Sequence, residues 1–159
     1  KDYKDALLIL GDLEQTSAGR RFLFDIMRKR SETLLAAGMF QEAAASYRNI
    51  LSVSPFPWAK AGLAKAEHAL GNLDAARKEI DFVVNSAPKY FEAQDLKAQI
   101  CVDMGDLEEA QRTLHQLSMS TPKNYLRKRT LAEVATLNGD METARAAMKD
   151  VIENDSHPG

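Results

Sequence analysis

The sequence is poor in the residues that announce most specialised chemistries. Cys101 is the only cysteine among 159 residues, so no internal disulfide can form and a disulfide-stapled secreted scaffold is excluded. Aromatics make up only 7% of the chain. Neither sign of charge dominates: 21 Lys and Arg stand against 23 Asp and Glu, a formal net charge of −2 with a pI near 6.0. Such a balance supplies no general attraction to nucleic acid or to an anionic membrane. No apolar run approaches the ~18 residues needed to span a bilayer. The sequence opens at Lys1 with neither an initiator Met nor a basic-then-apolar leader, and we expect it to be a fragment. What is present is an apolar fraction of 45%, ample for a core.

That apolar content is periodic. Gly38, Gly71, Gly105 and Gly139 are spaced 33, 34 and 34 residues apart. An alanine follows five residues after each: Ala43, Ala76, Ala110 and Ala144. Then come a bulky row, Tyr47, Ile80, Leu114 and Met148, and a smaller apolar row, Ile50, Val83, Leu117 and Val151. Pro55, Pro88 and Pro122 close the first three repeats, with Ser156 in the fourth slot. The 4-then-3 spacing places each triplet on one helical face. Glycine suits a helix C-terminus that turns through a left-handed conformation, and proline ends the second helix. Each repeat is thus a helix–turn–helix that must stack on its neighbours to bury its apolar face.

These columns resemble the tetratricopeptide repeat (TPR). The resemblance implies an all-α, right-handed superhelical solenoid of antiparallel helix pairs. About nine helices are expected, near 2–14, 21–36, 41–53, 57–70, 74–86, 91–104, 108–120, 125–138 and 141–154. They form one array over 1–159: a half repeat at 1–20 and repeats at about 24–57, 57–90, 91–124 and 125–158. The family's small residue in the first helix stands as Ser31, Ala64, Ala98 and Ala132. Its large aliphatic is present as Leu63 and Leu131 but replaced by Arg30 and Lys97. The family tryptophan is missing from its place, and Trp58 lies two positions earlier. Gly11-Asp12-Leu13 imitates a repeat turn out of register, and a three-residue insertion is expected near Thr16–Arg20.

A narrower resemblance rests on Pro57-Trp58-Ala59-Lys60-Ala61-Gly62-Leu63-Ala64, Tyr90-Phe91-Glu92-Ala93-Gln94-Asp95-Leu96, Ala110-Gln111 and Asn138-Gly139-Asp140. Together they look like the C-terminal TPR half of bacterial two-component response regulators, whose receiver domain precedes the repeats. This implies a cytoplasmic phosphorelay protein whose phosphoacceptor aspartate lies upstream of Lys1.

Catalysis has no visible seat. His68, His115 and His157 have no ligand at metal spacing, Cys101 falls in an inward slot, and no phosphate loop or nucleophile elbow exists. We expect no enzyme activity, no metal and no cofactor. The triplets Arg28-Lys29-Arg30 and Arg127-Lys128-Arg129 each spread over ~200° of helical arc, so neither makes a nucleic-acid face.

The resemblance instead implies binding along the concave face lined by the first helices. In this sequence that stripe holds Arg28, Glu32, Trp58, Lys65, His68, Asp95, Gln99, Arg129 and Glu133, together with Leu35, Val102 and Leu126. Glu32, Glu92 and Asp95 argue against a clamp for a peptide carboxylate. A mixed-charge partner segment, helical or extended, fits better, with Trp58 either an interface anchor or a cap packed beside Phe56 or Phe40. The alternative is an oligomerisation module working through its terminal helices. Leu7, Leu8, Ile9 and Leu10 cannot all be covered on the first helix, and Met148 and Ile152 lack a capping helix on the last. No membrane partner is expected.

Overall fold

In a computed structural model, the structure describes residues 3–16 and 22–155, the side chains of the last two excepted. Among the described residues there are nine helices and no strand: α1 (Tyr3–Gln15), α2 (Leu23–Ala36), α3 (Phe40–Leu51), α4 (Pro57–Ala69), α5 (Leu73–Ser86), α6 (Phe91–Asp103), α7 (Leu107–Ser120), α8 (Tyr125–Leu137) and α9 (Met141–Asp155). Every boundary falls within two residues of the sequence expectation. The insertion expected at Thr16–Arg20 lies, apart from Thr16, outside the described residues, as do Ser156 and His157. No described helix is long and apolar enough to cross a membrane.

The reason for these boundaries is visible in the backbone. Gly38, Gly71, Gly105 and Gly139 have φ between 77° and 80°, while no described non-glycine residue has positive φ. At each turn the glycine N–H donates back three residues and the next N–H donates back five. Thus Gly105 N–H reaches the Val102 carbonyl at 2.9 Å and Asp106 N–H reaches that of Cys101 at 2.8 Å. This Schellman arrangement satisfies carbonyls that a helix end would otherwise leave unpaired. Gly11, the out-of-register imitation, sits inside α1 without such a turn. Pro57 occupies the first turn of α4, where its missing N–H costs nothing, and Phe56 before it is extended at φ −60°, ψ 126°. Asp106, Asn124 and Asp140 each accept the N–H three residues on, at 3.3, 3.1 and 3.0 Å, capping α7, α8 and α9.

The chain groups into two compact units, Lys1–Ala87 and Pro88–Gly159. In the first, α2, α3 and α4 enclose a core of Leu34, Ala43, Ala44, Tyr47, Ile50, Ala59, Leu63 and Ala66, with Leu7 of α1 packed on its edge. In the second, α6 to α9 enclose Ala98, Cys101, Ala110, Leu114, Leu131, Ala132, Val134 and Ala147. The column alanines Ala43, Ala76 and Ala110 are all 0% exposed, which is how paired helices approach closely. Cys101 is equally buried, the inward slot its periodicity indicated. The last repeat differs for a plain reason. No described helix follows α9, and Met148 of the bulky row is exposed while its counterparts Tyr47, Ile80 and Leu114 are buried. Leu8 and Ile9 of α1 are also exposed, whereas Leu7 and Leu10 are half-buried.

Arg30 and Lys97, which occupy aliphatic slots, do not break the core. Arg30 pairs with Glu14 of α1 at 3.1 Å, and Lys97 with Glu109 of α7 at 2.8 Å. Each head meets a carboxylate on an adjacent second helix. A charged residue is thereby accommodated where the repeat asks for an aliphatic one.

Candidate functional site

The first-helix stripe begins in the first compact unit, on α2 and α4. Arg28 Nε donates to Glu32 Oε1 at 2.8 Å, one turn along α2. The guanidinium of Arg28 also lies 5.1 Å from the centre of the Trp58 ring on α4, a cation–π contact. Trp58 stacks on Phe56 at 5.5 Å, and Phe56 meets Phe24 edge-on at 5.2 Å. Trp58 is half-buried and packs on the first core. This is the packing beside Phe56 that the sequence offered as one of its two readings, with Arg28 added to the cluster. Farther along α4, Lys65 is exposed and His68 is half-buried.

Beneath this layer is a close approach. Gly62 of α4 faces the ring of Tyr47, and a Cβ at that glycine would stand 2.2 Å from Tyr47 Cζ. Glycine is required there so that the tyrosine ring can lie against the α4 backbone.

In the second compact unit the corresponding first-helix positions lie on α6 and α8, around a hollow of about 300 Å³. Asp95, Gln99 and Val102 line it from α6, Leu126 and Thr130 from α8, and Leu114 from α7 beneath. Leu126 is strongly exposed at its rim, whereas Leu114 is buried. Arg127 crosses the wall to hold Asp95 in a two-pronged pair, its Nε at 2.9 Å from Oδ1 and its NH2 nitrogen at 2.6 Å from Oδ2. The hydrogen bond to Asp95, then the charge behind it, raises the Arg127 pKa against the opposing effect of burial. The Phe91 ring lies 5.6 Å from the same guanidinium. Asp95 is therefore paired within the protein. Arg129 and Glu133 pair with each other along α8 at 3.5 Å, both well exposed, and do not line the hollow.

The basic triplets dissolve into ion pairs. Beyond the residues already placed, Lys29 reaches Glu32 at 3.6 Å and Lys128 reaches Asp150 at 2.9 Å. The six basic residues are shared among five acids, Glu32 taking both Arg28 and Lys29. Asp140 is the second perturbed group. Hydrogen bonds from the Thr143 hydroxyl and N–H, then from Gln111, hold its carboxyl below the usual range. Among the described residues, no group of three His, Cys, Asp and Glu side chains is placed to hold a metal ion.

Two family models described as tetratricopeptide repeat match the sequence, one over residues 34–100 and the other over residues 92–116. Residues 34–116 are tetratricopeptide repeats. The TPR fold extends over nearly all of the chain by likeness to solved structures. A crystal structure of MamA matches with a TM-score of 0.85 at 14% identity, covering 98% of this chain and 90% of that one. MamA from Desulfovibrio magneticus RS-1 matches at 0.78 and 16% identity, covering 100% and 99%. TTC0263, a thermophilic TPR protein in Thermus thermophilus, matches at 0.69 and 17% identity, covering 95% and 82%. At such identities the likeness speaks to the TPR fold alone. No curated protein matches by sequence.

Sequence reasoning missed Arg127 and Thr130 as site residues. Arg127 was visible only as one member of a basic triplet, and its bond to Asp95 joins residues 32 positions apart with no periodic signature.

Proposed function

We propose that this chain is a non-catalytic protein–protein interaction module that holds a partner segment on its first-helix face. The observation that carries this reading is the hollow between α6 and α8, where Asp95, Gln99, Val102 and Leu126 of the stripe converge. Its exposed lining is mainly apolar, with Asp95, Gln99, Asn124, Arg127 and Thr130 as polar members, the composition of a pocket for an anchor side chain. The stripe's own charges are largely paired internally, so affinity comes from apolar anchoring at Leu126 and Trp58, with charge setting register. The reading includes neither nucleic acid nor membrane as partner, because the two basic triplets are engaged in ion pairs.

The repeat register passes unbroken from Gly71 to Gly105, 34 residues, which supports one array over 1–159. The four sequence stretches that resemble receiver–TPR proteins support a place in a cytoplasmic bacterial response regulator, where phosphorylation of an upstream receiver would control access to the face. That part is tested by the coding sequence ahead of Lys1: a receiver domain is expected there, and any other domain overturns it.

The binding reading is tested by affinity capture with the parent chain, a Trp58→Ala/Arg129→Glu variant and a Leu126→Glu variant, all of verified helicity. A protein retained by the parent and reduced at least tenfold by the variants supports it. Equal capture by all three overturns it. A second reading, self-association through the terminal helices, is favoured by the exposed Leu8 and Ile9 of α1. Sedimentation velocity decides it: a concentration-dependent dimer abolished by Leu8→Glu/Ile9→Glu is expected on that reading alone.

A further inference from the structure

The second compact unit has another opening, on the side of its second helices and away from the stripe. A cleft of about 390 Å³ lies over α8 between α7 and α9. Leu131 forms part of its floor, Met119 and Pro122 one wall, and Ala146 and Ala147 the other. The equivalent place in the first unit shows how this cleft arises. The glycine columns pair α4 with α8 and α5 with α9 at an offset of 68 residues, and α3 with α7 at 67.

In the first unit Lys60 is covered by Glu79, whose carboxylate is 2.5 Å from Nζ, and by the Phe82 ring at 4.6 Å. Lys128 occupies the Lys60 position, but Ala147 stands for Glu79, Asp150 for Phe82 and Ala146 for Lys78. Three large side chains are thus replaced by small ones around a retained lysine. A fourth exchange adds polarity. Leu51 packs on the first core, whereas its counterpart Ser118 lines the cleft, 8% exposed, with a buried hydroxyl that has no hydrogen-bond partner among the described residues.

A buried hydroxyl without a partner is costly, and native structures rarely retain one without a reason. The chemistry of the cleft limits what could satisfy it. Lys128 is already neutralised by Asp150 at 2.9 Å, so a free anion gains little. The pair presents a donor and an acceptor side by side, and a hydroxyl group, which both gives and takes a hydrogen bond, matches it. The apolar walls suit a ring. The volume sits near the lower end of the about 300–1,000 Å³ typical of ligand pockets, the size of an anchor residue rather than a cofactor. Tyrosine joins an apolar body to a polar tip and is enriched at interfaces for that reason.

We propose that this cleft is a second binding site, which takes the side chain of a tyrosine from a partner segment, its hydroxyl meeting Ser118 and the Lys128–Asp150 pair. The site is independent of the first-helix face. It rests on the exchange of Glu79, Phe82 and Leu51 for Ala147, Asp150 and Ser118 between otherwise matching helices.

The test is an amide NMR titration of the full chain with N-acetyl-tyrosinamide, and in parallel with N-acetyl-phenylalaninamide. Saturable shifts confined to amides around Ser118, Met119 and Ala147 are expected, with the tyrosine probe bound about three- to tenfold more tightly, the worth of one hydrogen bond. Ser118→Ala should reduce that preference by a factor of two or more. Ala146→Lys/Ala147→Glu/Asp150→Phe, which restores the pattern of the first unit at two exposed positions and at the buried Ala147, should abolish binding with helicity retained. Leu126→Glu should leave it unchanged. No saturable shift in the parent overturns the site. Equal affinity for the two probes, or shifts that persist in the triple variant, overturns the assignment to tyrosine in this cleft.

Discussion

The two compact units use one helical register to opposite ends. At the first-helix face, the first unit places three aromatic rings, Tyr47, Phe56 and Trp58, where the second has Leu114, Asn124 and Leu126. Tyr47 presses against Gly62, and the corresponding Thr130 borders a hollow of about 300 Å³. On the other side the same contrast recurs, with Glu79 and Phe82 against Lys60 in one unit and an open cleft over Lys128 in the other. The columns that build the array are kept in both units, and the differences lie between the columns. A repeat protein can therefore make one segment dense and another receptive without altering its fold.

The sharpest way to break this comparison is to give the first unit the residue of the second. Gly62→Thr would drive its Cβ to 2.2 Å from the Tyr47 ring. Overpacking of this kind costs about 1–3 kcal/mol, and we expect the upper end, because the contact is with a buried ring beside a helix backbone. Urea unfolding measures the loss. Adding Tyr47→Leu should recover at least half of it, since the pair then copies Leu114 and Thr130. No recovery would mean that helix geometry, rather than the ring, demands the glycine.

A smaller effect is expected from Arg127→Met in the second unit. The variant removes the two-pronged bond to Asp95 and the guanidinium contact with Phe91 but keeps an unbranched apolar side chain of similar length. Because Asp95 is 40% exposed, water takes over part of the lost interaction, and a cost of about 1 kcal/mol is expected. Its counterpart in the first unit is the buried Ala59, so that unit has no equivalent tie to lose. A loss indistinguishable from zero would show that the hollow's wall does not depend on this pair.

The smallest effect concerns the cap of α9. The Asp140 carboxyl titrates below its ordinary value in the folded chain. Its contribution is thus fully present above the unfolded value, about 3.9 for aspartate, and disappears as pH falls through the lower folded value. The melting temperature of the parent should exceed that of Asp140→Ala at neutral pH, and the gap should narrow below about pH 4. A gap that stays constant down to pH 2 would sink the assignment.

The fold was almost wholly legible because it depends on residues with one job each. Glycine at a fixed interval, alanine five residues on and an apolar pair beyond are local and periodic, and four copies reinforce one another. The stripe was legible only as a set of addresses. Spacing placed Arg28, Glu32 and Trp58 on neighbouring first helices, but not the cation–π contact that joins them. It placed Asp95 on the face without its partner Arg127, since that bond depends on rotamers across two helices. The roles of Arg30 and Lys97 were hidden for the same reason: their acids, Glu14 and Glu109, lie on other helices. Empty space left even less trace, because a cleft is marked by what is small rather than by what is there.

The four glycine turns carry a consequence for how the array tolerates change. Apart from the glycine itself and its two chain neighbours, no described atom lies within 4 Å of where a Cβ would stand at Gly38, Gly71, Gly105 or Gly139, yet each backbone is left-handed. Replacement there meets a penalty from handedness and none from crowding. The turns are consequently blind to volume: alanine and leucine should be almost equally poor, and asparagine the mildest exchange. Core positions such as Ile50 grade their replacements by size, whereas these four grade them by chirality alone.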